Sequence, residues 1–274
     1  MLEDYPDFCY NQVGSFALEY IEYFEDLRKQ LSKANVEITL PEYVSMMFFT
    51  MGVVGLFSTV LLSVFFILSI GAAGIIMAFM FSIIATMITG SAFYLYPGIM
   101  MKSRASKIRD TLPFATMYLA TLSGTGTSLP NIFKNLAEVD EYGEVSKEAE
   151  KISRDIETFG MDVSEALERA ANRTPSDDFK ELVWGINHVI TTGGSLKQFL
   201  QERSDKLMDD YQRRIEEFSK TLSLLVEMYI TVIIVGSIIF TSMSAVISSF
   251  SSSISPTLLV NIQVLAIFFG IPMI

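Results

Sequence analysis

Cysteine, histidine and tryptophan each occur once, as Cys9, His188 and Trp184. A lone cysteine excludes an intramolecular disulfide framework. One histidine beside one cysteine leaves little material for a zinc site or a histidine relay, so neither metal nor cofactor is expected. Basic residues are also scarce: 20 Lys and Arg against 31 Asp and Glu give a net charge of −11. Nucleic-acid binding needs a basic surface and is not expected. No stretch alternates apolar and polar residues between turn signals, which argues against a sheet. The start, MLEDYPDFCYNQ, is acidic and lacks the basic-then-apolar order of a cleavable signal peptide. The first apolar run is therefore expected to act as its own insertion signal.

Charge is missing over two long runs. No Asp, Glu, Lys, Arg or His occurs from Tyr43 through Met101, or from Met228 through Ile274. A helix needs roughly 20 apolar residues to cross the hydrocarbon of a bilayer. A pair of buried helices in a soluble protein is the bland alternative, but uninterrupted runs of this length are read as spans. The first run suits two, over 44–68 and 75–96, joined by Gly71-Ala72-Ala73-Gly74 and stopping near Pro97-Gly98. The second suits a span over 222–247 and, with Ser248–Pro256 as the turn, another over Thr257–Ile274. Half of the chain is hydrophobic. The expected fold is all-α: a polytopic membrane protein with about four transmembrane helices and a cytoplasmic antiparallel helical bundle. Its expected divisions are an arm over 1–42, a hairpin of spans over 43–101, the helical domain over 102–221, and a second hairpin over 222–274.

Within the arm, Val13, Phe16, Ala17, Tyr20, Ile21, Phe24, Leu27 and Leu31 recur at spacings of three and four. That is one apolar face of an amphipathic helix. The other face carries Glu19, Glu22, Glu25 and Asp26, where a lipid-surface helix would favour Lys and Arg. The arm is thus expected to pack on another helix of this protein or on a partner.

All 20 Lys and Arg lie within 1–42 and 102–227. Lys102, Arg104, Lys107 and Arg109 follow the second span directly; Arg213, Arg214 and Lys220 precede the third. The positive-inside rule places the middle domain and both termini in the cytoplasm of a multi-pass protein. The cluster from Lys102 to Arg109 is expected to set topology and bind anionic headgroups.

The middle segment reads as six consecutive helices. One covers Pro113–Ser123. A second starts after Ser128 with Pro130 in its first turn, and a charged one covers Ser146–Thr158. Asp162 with Glu165, Ser176, and Ser195 with Gln198 look like helix starts. The last helix is expected to run on into the third span. Gly126, Gly160 and Gly194 each mark a glycine stop before a polar cap and an apolar helix start, the glycine ending the previous helix in a left-handed conformation.

These steps also carry a family resemblance. The run TLPFATMYLATLSGTGTSLPNIFKNLA at Thr111–Ala137, then DIETFGMDVSEALERAANRTPSDDFKELVWGI, then GGSLKQFLQERSDKL at Gly193–Leu207 resemble the type II secretion system F domain. The resemblance covers about residues 100–245, with spans on both sides. It implies a platform protein of the cytoplasmic membrane in a type IV pilus-like machine: type II secretion, type IV or tight-adherence pili, or the archaellum. It further implies a hexameric secretion ATPase and pilin-like subunits as partners. A homo-oligomer, or pairing with a second F-domain protein, would complete the platform. Many members carry two F domains, whereas this chain shows one, as in the tight-adherence type, in half of a larger platform, or in a short or truncated member.

Chemistry is sparse. Gly124-Thr125-Gly126-Thr127-Ser128 lacks the Gly-Lys-Ser/Thr ending and the preceding strand of a phosphate loop, and reads as a turn. The pairs Asp140-Glu141, Asp177-Asp178 and Asp209-Asp210 read as cation ligands or as solvated helix ends. Glu227, inside the third span, either snorkels to the interface or makes a polar contact with another protomer or a pilin helix. Two other readings stand beside the platform, an oligomeric transporter or channel and a membrane-anchored scaffold. No residue is marked for catalysis.

Overall fold

The computed structural model describes residues 5–36, 38–71 and 74–250. Its elements are helical throughout, with no strand among the described residues. Among the described residues, three helices are long and apolar enough to cross a membrane, within Leu40–Leu68, Gly74–Ser123 and Leu196–Met243. This is an all-α membrane protein. The expected fourth span, Thr257–Ile274, lies outside the described residues, as do Ala72 and Ala73 of the first turn. The chain divides into two units, Met1–Met208 and Asp209–Ile274.

The arm folds as α1 (Tyr5–Glu19), a short 3-10 turn (Ile21–Phe24) and α2 (Glu25–Ala34). The single apolar face read from the sequence is therefore broken at Tyr20. Of its residues, Ala17, Leu27 and Leu31 are buried while Phe16 and Tyr20 stay exposed. The break lets α1 lie against α3 and α2 against α4. Phe8 meets Phe49, and Phe16 and Phe24 meet Phe48, edge to face at centroid distances of 5.7, 5.6 and 6.2 Å. Such edge-on pairs add to plain area burial.

Helix α3 (Leu40–Ile70) begins where Thr39 donates its backbone N–H to Glu42 Oε2 at 2.9 Å, with Pro41 in the first turn. This is half of a capping box, and proline fits there because first-turn N–H groups have no helical acceptor. Gly71 ends the helix at φ +79, donating to the Ile67 carbonyl. Helices α3 and α4 are joined by a polar seam. Ser82 Oγ donates to the Gly55 carbonyl at 3.0 Å and lies 2.9 Å from Ser58 Oγ and 2.6 Å from Thr59 Oγ1. Hydroxyls inside an apolar span need such partners. A Cβ on Gly55 would sit 3.0 Å from Thr86 Oγ1, so this glycine permits the close approach; Gly52 faces open space.

The main departure from the sequence reading is α4, which runs unbroken over Gly74–Ser123. No stop occurs at Pro97-Gly98, and no new helix starts at Pro113. Pro97 has no N–H for the carbonyl four residues earlier, Phe93. That carbonyl instead accepts from Tyr43 Oη of α3 at 2.7 Å. With its orphaned acceptor satisfied from the side, the helix continues.

Beyond the hairpin, the last turns of α4 pack with α5 (Leu129–Ala137), α6 (Glu144–Glu157), α7 (Val163–Arg173), α8 (Asp177–Thr192) and the first turns of α9 (Leu196–Phe250). The core holds Ile108, Leu112 and Leu119 of α4, Phe133 of α5, Ile152 of α6, Leu167 of α7, Phe179 and Ile186 of α8, and Leu200 of α9. Neighbours run antiparallel: Ser164 of α7 bonds Asn187 of α8, and Glu181 of α8 pairs with Arg203 of α9. Asp162 caps α7 by accepting from the Ser164 N–H at 3.0 Å, and Ser176 caps α8 by accepting from Phe179 N–H. Ser128 occupies the start of α5 without a side-chain cap bond. Gly126 and Gly160 take left-handed φ values of +78 and +66; at the third step Gly193, at +74, takes this role rather than Gly194.

In the second unit, α9 is one helix through Phe250. Its Ser and Thr hydroxyls bond back to carbonyls one turn earlier, as Thr231 to Glu227 and Ser242 to Ile238. This is how lone hydroxyls are satisfied along an apolar helix.

Candidate functional site

Charged residues converge where α4 passes from the apolar hairpin into the bundle. Helix α6 places Glu144, Glu148, Lys151 and Asp155 at spacings of four, three and four, which puts them on one side. Arg169 and Arg173, four apart on α7, face that side. Arg104 reaches it from α4. Glu148 is fully shielded from water and meets cations from three helices: Arg104 Nη2, Arg173 Nε at 3.1 Å and Lys151 Nζ at 3.4 Å. Asp155, also buried, pairs with Arg173 Nη1 at 2.8 Å and Arg169 Nη1 at 3.5 Å. Glu144 accepts from Arg104 Nε at 2.8 Å and from Lys147 Nζ at 2.8 Å.

The same cations hold the arm. Arg104 Nη1 donates to the Lys33 carbonyl at 2.8 Å, and Lys151 Nζ donates to Asn35 Oδ1. Lys33 lies in the last turn of α2, where open carbonyls favour a cation. Asn35 closes α2 at φ +57, a left-handed geometry that asparagine tolerates. One cluster thus joins the arm, the helix leaving the apolar hairpin, α6 and α7.

The electrostatics favour ionised carboxylates here. Burial pushes the Glu148 carboxyl up, but Arg173, Lys151 and Arg104 outweigh it and hold it below the ordinary carboxylate value. Glu144 is likewise held low, the bonds from Lys147 and Arg104 overcoming burial. Burial pulls the Lys151 ammonium down, aided by the nearby guanidiniums and opposed by Glu148. Cations outnumber carboxylates in the cluster, and the buried Arg173 Nη2 has no hydrogen-bond partner among the described residues.

The residues marked from sequence scatter. Arg104 is buried, its guanidinium bonded within the cluster to Glu144, Glu148 and the Lys33 carbonyl. Lys102, Lys107 and Arg109 are exposed on α4. Lys102 and Arg109 border a polar cleft of 460 Å³ with Ser106, Asp177 and Asp178. Asp177 and Asp178 occupy the first turn of α8, where the helix dipole favours them. In the second unit, Arg213 pairs with Asp210 at 2.9 Å and Arg214 lies 5.9 Å from the Tyr211 ring centre. Glu227 is exposed on α9. Trp184 and His188 share an exposed side of α8. No group of three or more His, Cys, Asp or Glu is arranged to hold a metal among the described residues. The cluster itself was missed, although the spacing of Glu144, Glu148 and Asp155 and of Arg169 and Arg173 was a usable signal.

Residues 115–243 match the family model for type II secretion system (T2SS), protein F. An uncharacterized protein of Methanocaldococcus jannaschii is 30% identical over 164 residues, covering 60% of this chain and 27% of that protein. Flagella accessory protein J of the same organism is 31% identical over 137 residues, 50% of this chain and 24% of that protein. Flagella accessory protein J of Methanococcus voltae is 29% identical over 139 residues, 50% of this chain and 25% of that protein. The matched stretch thus spans about a quarter of the length of these relatives. No solved structure matches the chain significantly.

Proposed function

Since residues 115–243 belong to the type II secretion system protein F family, we propose that this chain is a platform of the cytoplasmic membrane for a pilus-like or archaellum filament machine. A hexameric secretion ATPase docks on its helical domain, and pilin-like subunits are handled beside its spans. The helical domain and both termini face the cytoplasm, in keeping with the Lys and Arg confined to 1–42 and 102–227. The protein works as an oligomer or beside a second F-domain protein. It supplies no catalysis; its part is to hold and transmit.

The observation that carries this reading is the passage of α4 from apolar span to bundle core without a break, with Arg104 fixed at the transition. A displacement of the bundle is then passed into the membrane by a stiff rod and not lost in a loop. Helix α9 makes the same change from charged to apolar within one helix. The exposed Lys102, Lys107 and Arg109 remain on the outside of α4 to meet headgroups, and Arg213, Arg214 and Glu227 mark the corresponding stretch of α9.

Two arms test the proposal. The full chain, purified from its native membranes in mild detergent, should bring down a hexameric ATPase together with pilin-like subunits. A flexible Gly-rich insertion at Thr221 should leave insertion and ATPase capture intact and abolish filament assembly. Absence of any ATPase would favour a membrane-anchored scaffold, and unimpaired assembly in the insertion variant would remove the rod mechanism.

A further inference from the structure

Between the arm and the first hairpin lies a cavity of 410 Å³ with an almost wholly apolar wall. Leu31 and Ile38 close it from the arm, Met46 from α3, and Ala92, Tyr96 and Met100 from α4. Two features keep it open. Ala92 leaves room where a larger side chain would fill it. The Tyr43 phenol, also at the wall, is tied to the Phe93 carbonyl and cannot swing inward without orphaning that acceptor.

The wall offers water almost nothing to bond, because the Tyr43 hydroxyl is already engaged. A void lined this way loses contacts with every wall atom unless something apolar fills it. Tyr96 and Met100 are both exposed, so the cavity is continuous with the outer, lipid-facing side of α4. Size selects the occupant. A transmembrane helix is about 10 Å across and does not fit. A water molecule takes about 30 Å³ of liquid, and a methylene is of similar size, so this volume takes roughly a dozen carbons, the inner part of one hydrocarbon chain.

Charge supplies the other end. The uncharged run stops at Met101, one residue past the wall residue Met100, so this end of the cavity lies where charge begins. On α2, the exposed Arg28 lies three residues before Leu31 and therefore on the same side of that helix. We infer that the cavity seats one hydrocarbon chain of an anionic membrane lipid, its headgroup phosphate held on the side of Arg28, so that the lipid is a wedge under the arm. The inference rests on the membrane reading of the apolar helices and is independent of any ATPase.

The test uses the full chain in nanodiscs holding equal amounts of an anionic and a zwitterionic phospholipid, with p-benzoylphenylalanine in place of Tyr96. Illumination should give an adduct of lipid mass, several-fold enriched in the anionic species. The same probe in place of the exposed Phe57 on α3 should label both lipids evenly. Ala92→Phe, or the milder Ala92→Leu, fills the cavity and should cut labelling at position 96 several-fold without changing it at position 57. Arg28→Gln should remove the anionic preference alone. Trp184 fluorescence reports that each variant is folded. Even labelling at both positions, unaffected by filling, would overturn the inference. So would a product in which position 96 is joined to residues 251–274 or to a second copy of the chain.

Discussion

The Tyr43 hydroxyl donates to the Phe93 carbonyl at 2.7 Å, and Phe93 is the residue whose acceptor Pro97 leaves without an N–H. A side chain from one span thus completes the backbone of the other, in a setting where water cannot. The bond makes the proline tolerable and α4 continuous.

Tyr43→Phe is expected to cost about 1–3 kcal/mol, the penalty for an unsatisfied buried carbonyl. In a Pro97→Ala background the new N–H takes over the Phe93 carbonyl, and the same substitution should cost much less. Unfolding of both pairs in detergent gives the double-mutant cycle. Equal costs in the two backgrounds would mean that the hydroxyl does not serve the proline's carbonyl.

Glu148→Ala should be far more damaging than any exposed ion-pair deletion. It strips Arg104, Arg173 and Lys151 of a shared counter-charge inside the protein, a change that typically costs about 3–5 kcal/mol. Arg213→Ala, at an exposed pair, should be close to neutral. The lone Trp184 on α8 reports unfolding of the bundle in both variants.

Acid should act through the same carboxylates. The folded protein holds Glu148 and Glu144 below their ordinary values, so their contribution is complete above the unfolded pKa of about 4.3 and disappears as pH falls from there through the folded values. The stability gap between the native protein and Glu148→Gln should therefore be flat from about pH 5 to 8 and shrink below about pH 4. A gap that widened in acid would contradict the sign.

Two glycines should resist alanine for different reasons. A Cβ at Gly185 on α8 would overlap the ring of Phe199 on α9, so Gly185→Ala should be destabilising and partly rescued by Phe199→Leu. Gly126 has open space around it but φ of +78, so Gly126→Ala should cost about 1–2 kcal/mol, with Gly126→Asn milder. Rescue of Gly126→Ala by a second-site truncation would be inconsistent with this account.

Local signals carried most of the helix pattern. Asp162 and Ser176 sit at the helix starts their chemistry indicated, and Gly126 and Gly160 have the left-handed φ a helix stop requires. Pro97 misled because its usual effect was cancelled by Tyr43, more than fifty residues earlier in the chain. The burial of Arg104 was illegible for a related reason. Its neighbours Lys102 and Lys107 face outward, and only the packing of α6 against α4 decides that Arg104 turns inward. The partners of Glu148 come from α4, α6 and α7, and spacing along one helix states which residues share a side but not what covers that side. Thr39-Pro41-Glu42 was legible as a cap and went unread at the edge of the apolar run.

That cap has a mechanical corollary. Thr39 and Glu42 hold the first turn of α3, and Val36 and Ile38 just before it pack on the arm core. The span cannot gain or lose a turn at this end without giving up those bonds. If the bilayer is thicker or thinner than α3, the mismatch has to be taken up by tilt or at the far end, beyond Ile67 and the glycine that closes the helix there. The protein keeps its arm-side junction in register and lets the opposite turn ride with the membrane.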